Sequence, residues 1–121
     1  MGMEEFRRYL NELDLLSLEV QRCPELQIGA SAVTQDGLLQ RFELNRALVN
    51  LLHYATVHMM RADAHDYDAE SERWILGVID RTFAQIQEDL SRPMEAGVRT
   101  LVLRALHLVN RIMADLQHAA A

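Results

Sequence analysis

The side chains best suited to chemistry crowd into one stretch, His58-Met59-Met60-Arg61-Ala62-Asp63-Ala64-His65-Asp66-Tyr67-Asp68. Imidazole nitrogens and carboxylate oxygens are good ligands for zinc or iron. The spacing nevertheless fits none of the specific metal patterns. A calcium loop opened at Asp63 places Asp68 where glycine is required and Trp74 where the closing glutamate belongs. The chain has no HExxH, no cysteine pair, and no Glu-x-x-His on two helices. The stretch therefore reads as an acidic, solvated loop leading into a helix, with no metal and no cofactor expected. Cys23, beside Pro24, lacks a histidine partner that would activate it as a nucleophile. No GxSxG, glycine-rich phosphate loop or aspartate dyad occurs.

A second constellation is Arg46-x6-His53. Its spacing resembles the Rx4–6H motif of the HEPN class of helical ribonucleases. That resemblance implies a metal-independent ribonuclease, or an inactive relative, in which His53 serves as general acid or base and Arg46 clamps phosphate. The match covers eight residues. Ala47 follows the arginine where many members carry a polar residue, and Arg111-x6-His118 repeats the same spacing near the C-terminus. His53 and His58 diverge by about 140° around a helix and cannot act on one ligand.

Composition narrows the field. The chain has 121 residues, half of them hydrophobic and a quarter charged, with a formal net charge of −6. It is long enough for one domain, residues 1–121, that buries roughly two thirds of its unfolded surface. Net negative charge disfavours nucleic acid and anionic membrane as partners, because both need excess cations. All twelve basic residues are arginine. No apolar run reaches the roughly 18 residues of a membrane span. The N-terminus, with Glu4 and Glu5, lacks the pattern of a signal peptide. A lone cysteine forms no internal disulfide, so a cytoplasmic protein is expected.

Periodicity supplies the elements that must position these groups. Met3, Phe6, Leu10, Leu13, Ser17 and Val20 recur at three- and four-residue steps, predicting a helix over about 3–21 that Pro24 ends. Leu16, Leu18 and Val20, with Leu26, Ile28 and Ala30, also alternate, so a short β-hairpin at 16–30 is the alternative. A second helix is predicted over 36–62, capped by Thr34 or Asp36. Its apolar arc includes Leu38, Phe42, Leu44, Leu48, Val49, Leu51, Leu52, Ala55, Met59 and Met60, with Asn45 inside it. A third runs over 69–90 with Asp68 as cap and Glu70 and Glu72 suited to the helix dipole. A fourth runs over 92–118, with Ser91 as cap and Pro93 in its first turn. Arg104, His107, Arg111 and His118 form an outward stripe on it, read as a solvated face. The fold class is all-α, a four-helix bundle in which the short connections between helices two and three and between three and four make those pairs antiparallel neighbours.

Several apolar residues lie off the predicted core stripes. Leu15 and Leu18 leave the first face, Trp74 and Val78 stand beside Arg81 on the third, and Leu103 opposes the fourth core stripe. Tryptophan with valine and arginine is the composition of an interface anchor. The expected function is therefore non-enzymatic: a small regulator or adaptor, anti-activator or chaperone-like, that occludes a partner protein's surface with an apolar helical face. Trp74, Val78 and Arg81 are its expected contacts, with Leu15 and Leu18 next. Self-association as a two-fold homodimer is part of the same expectation.

Overall fold

A computed structural model describes residues 1–27, 35–64 and 68–120, excepting the side chains of 35–39 and 118–120. Its elements are α1 (Met3–Arg22), a 3-10 turn (Pro24–Leu26), α2 (Gln35–Asp63), α3 (Ala69–Asp89) and α4 (Ala96–Ala120). This is an all-α, four-helix architecture. The alternative hairpin at 16–30 is replaced by helix through Arg22, and no strand occurs among the described residues. The three- and four-residue periodicity of α1 buries Tyr9, Leu13, Leu16 and Val20 together, which a strand's alternation would split between two faces.

The ends of the helices show why the chain turns where it does. Pro24 stops α1, and the Gln27 side-chain amide donates to the Gln21 carbonyl at 3.0 Å and lies 3.3 Å from those of Val20 and Cys23, which also accept the backbone N–H groups of Cys23 and Leu26. Asp68 caps α3 as expected, accepting from the Ser71 backbone N–H at 3.2 Å and from its hydroxyl at 2.6 Å. The expected start of α4 is corrected. Ser91 donates its hydroxyl back to the Glu88 carbonyl at 2.6 Å, so it finishes α3 instead of capping α4. Pro93 then lies in the connection, and α4 begins at Ala96. Arg99 reaches back from α4 to the carbonyls of Leu90 and Arg92, at 3.1 and 3.2 Å, and ties this turn shut. Of the proposed α2 caps, Thr34 lies outside the described residues and Asp36 is already inside the helix.

Helix α2 is the centre of the molecule and packs on α1, α3 and α4. Its Leu48, Leu51, Leu52, Ala55 and Met59 are buried with Ile75, Ile79 and Ile86 of α3 and Val98, Val102, Val109 and Ile112 of α4. Of the two helix pairs expected as neighbours, α2 and α3 pack closely, whereas the expected packing of α3 on α4 is corrected. Helices α3 and α4 approach closely at almost no point and leave a groove of about 390 Å³ beside Ile79, Phe83, Val109 and Met113.

The seam between α1 and α4 is polar as well as apolar. The buried Tyr9 donates its phenol O–H to Asp115, and the guanidinium groups of Arg8 and Arg111 lie 5.6 and 5.7 Å from its ring centroid. Arg104 pairs with Glu19 at 2.5 Å. Two members of the stripe read as a solvated face, Arg104 and Arg111, are thus used to dock α4 on α1. No helix among the described residues is long and apolar enough to cross a membrane.

Candidate docking face

The apolar arc of α2 is wider than its neighbours cover. Phe42, Val49 and Met60 fall within about 20° of one another around the helix and about 120–140° from the buried Ala55. They remain 43%, 46% and 55% exposed. Their expected place in the core is corrected here. A straight helix in a bundle buries little more than a third to a half of its circumference, and the positions past that limit face outward.

Val49 does not stand alone. With His53 and Thr56 of α2 and Ser17 and Gln21 of α1, it lines a groove of about 230 Å³. On the other side, the His53 and Tyr54 rings meet edge-on at 5.1 Å, and Tyr54 meets Trp74 of α3 edge-on at 5.4 Å. A path of contacts therefore runs from the α1–α2 groove across α2 to the indole of Trp74. Aromatic pairs in this geometry hold their rings in place, so Trp74 is presented as a positioned apolar surface.

The residues expected to carry binding divide accordingly. Trp74 and Arg81 are exposed, Val78 is half-buried, and all three occupy one side of α3. Leu15 and Leu18 are exposed on α1. Helix α2 lies between them and Trp74: Val49 and Thr56 face the α1 groove, while Tyr54 faces α3. Leu103 is exposed on α4. Phe42, Val49, Met60 and Tyr54, which the sequence does not mark as contacts, also lie on this candidate face. The signal for the first three was the width of the arc itself.

The histidines part company. His58 is buried between α2 and α3, and burial pulls its imidazole below the ordinary value, with Arg61 adding to the effect and Glu72 opposing it. His53 is exposed, on the same side of α2 as Arg46. His65, the middle of the His/Asp-rich stretch, lies outside the described residues. Among the described residues, no three His, Cys, Asp or Glu side chains converge as metal ligands do. Cys23 is buried and donates to Glu25 at 3.2 Å; burial, then this bond, pushes its thiol up, away from the reactive thiolate.

Fold and surface together define a class: an all-α four-helix protein whose central helix α2 leaves Phe42, Val49 and Met60 exposed beside Arg46 and His53. Comparison with protein families, curated proteins and solved structures finds no match to this chain.

Proposed function

We propose that this chain is a protein-binding regulator or adaptor that covers a partner protein's surface with the outer face of α2 and α3. The observation that supports it most is the run Val49–His53–Tyr54–Trp74, apolar or aromatic and in part exposed, with Phe42 and Met60 along the same helix. Exposed aromatic and aliphatic side chains joined by contacts have the composition of an interface anchor. Trp74, Val78 and Arg81 supply the anchor, and Leu15 and Leu18 extend the contact on α1. A two-fold pair of copies joined through the same face is the resting form, opened when the partner binds. The deciding experiment is a pull-down with the intact chain against the Trp74→Ala and Val49→Glu variants, each checked for helical circular dichroism. Loss of the same captured protein from both folded variants supports the reading; retention by both overturns it.

The second reading is a HEPN-like ribonuclease using Arg46 and His53. It is favoured by one observation, the exposure of both side chains on one side of α2. Against it, no side chain among the described residues hydrogen-bonds the His53 ring to orient it. RNA cleavage by purified protein that His53→Ala abolishes would establish this reading over the first.

A further inference from the structure

A cavity lies away from the docking run, at the end of the bundle where the 3-10 turn, α2, the end of α3 and the approach to α4 meet. Its volume is about 470 Å³, in the range of small-molecule sites. Leu26, Leu44, Met94 and Val98 give it an apolar floor. Its rim is charged and unbalanced. Arg41 is consumed by Glu95 at 2.5 Å, and Arg92 is shared loosely between Asp89 at 3.7 Å and Glu88 at 3.9 Å. Glu25 and Glu43 form no ion pair among the described residues.

Asp89 feels this imbalance. Burial, helped by the neighbouring Glu88 and Glu43 carboxylates and opposed by Arg92, raises its carboxyl above the ordinary range. A positive charge placed between Glu43 and Asp89 would offset the cost of burying the Asp89 carboxylate and its repulsion from Glu43. A bare divalent ion does not suit the place. Such ions take a shell of oxygen ligands, whereas this floor is aliphatic, and the carboxylates do not converge closely enough to share an ion.

We propose that this cavity binds a small organic cation, an amine or amidine on an apolar body, with its charge between Glu43 and Asp89 and its body on Leu26, Leu44 and Val98. The apolar body supplies burial, and the carboxylates select for charge. Alcohols of the same shape lose the second contribution, and carboxylates of the same shape are repelled.

The probe is phenylbutylamine, with phenylbutanol and phenylbutyrate as neutral and anionic counterparts. Calorimetric titration of the full chain should show the amine binding about tenfold more tightly than the alcohol, and the butyrate not saturating. The double variant Glu43→Gln, Asp89→Asn should bring the amine down to the alcohol's affinity without changing the alcohol. Equal binding of the three compounds, binding of none, or amine binding untouched by the double variant would each overturn the proposal. If that variant does not fold, backbone-amide NMR of the unaltered chain decides. Amine-induced shifts centred on Leu44 and Val98 support the site; shifts elsewhere, or none, reject it.

Discussion

Trp74 of α3 stands edge-on to Tyr54 of α2, ring centroids 5.4 Å apart and planes at 78°, while the indole remains 56% exposed. One edge of the indole is therefore held by the fold and the rest is offered outward. Trp74→Ala should leave the helical content unchanged and cost about 1 kcal/mol in denaturant unfolding, the contribution of an aromatic pair. The larger effect should be on partner capture, since aromatic anchors dominate binding when truncated. A variant that loses stability and keeps its partners would reduce Trp74 to an edge cover of the bundle.

Self-association should respond to charge on α2. Val49 projects from the outer side of the helix and takes no part in the buried core. Val49→Glu should weaken a homodimer by at least about tenfold, because an unpaired carboxylate would have to be desolvated. Light scattering across a concentration series reads this directly. A strict monomer in the unaltered chain at tens of micromolar would dispose of the dimer while leaving a foreign partner open to test.

Tyr9 joins α1 to α4 through a bond that phenylalanine cannot make. Its phenol donates to Asp115, an acceptor that is only half-buried and can be rehydrated. Tyr9→Phe should therefore destabilise the protein by about 1.5 kcal/mol, the low end for a hydrogen bond to a charged group. Chemical denaturation at neutral pH measures it, and no change would mean that ring packing between the two arginines carries the seam.

His58 makes stability depend on pH in a set direction. Burial lowers its pKa in the folded state, so the unfolded chain takes up the proton first. Stability should fall as the pH drops below about 6.5, the ordinary imidazole value, and level off below the folded-state value. His58→Leu keeps an apolar side chain on the buried side of α2 and removes this contribution. The gap in melting temperature between variant and parent should move in the variant's favour from pH 7 to pH 5, a range of about two units around that value. A constant gap would show that the buried ring is not protonated differently in the two states.

Asp89 carries the opposite sign. Its folded-state carboxyl is raised, so the ionised form is a burden at neutral pH and the burden lifts as the proton binds. Asp89→Asn should melt higher than the parent at pH 7, a neutral point well above any carboxylate's ordinary range. The advantage should shrink as pH falls through the raised value and vanish below 3.8, the ordinary value for aspartate. If the variant melts lower at neutral pH, the Arg92 contact outweighs burial.

Much of the architecture was legible in the chain itself. The three- and four-residue recurrence along Met3–Val20 and Ile75–Leu90 specifies helices, because one-sided burial at about 100° per residue has no strand equivalent. Asp68 was readable as a cap for the same local reason: its side chain serves a backbone N–H three residues on. Pro93 is compatible with both a first helical turn and a connection, and the contacts of Arg99 and Ser91 place it in the connection. The outward placement of Phe42, Val49 and Met60 needed the tertiary structure. Periodicity marks which residues share a side of α2, but how many degrees of that side are covered depends on where α1, α3 and α4 settle. The same holds for the pairing of Tyr9 with Asp115, 106 positions apart in the chain, and for the carboxylates around the cavity. These come from elements distant in sequence, and only packing sets their distances. Periodicity along the chain specifies four helices and the apolar side of each; the packing around α2 sets which of that apolar surface is core and which stays exposed.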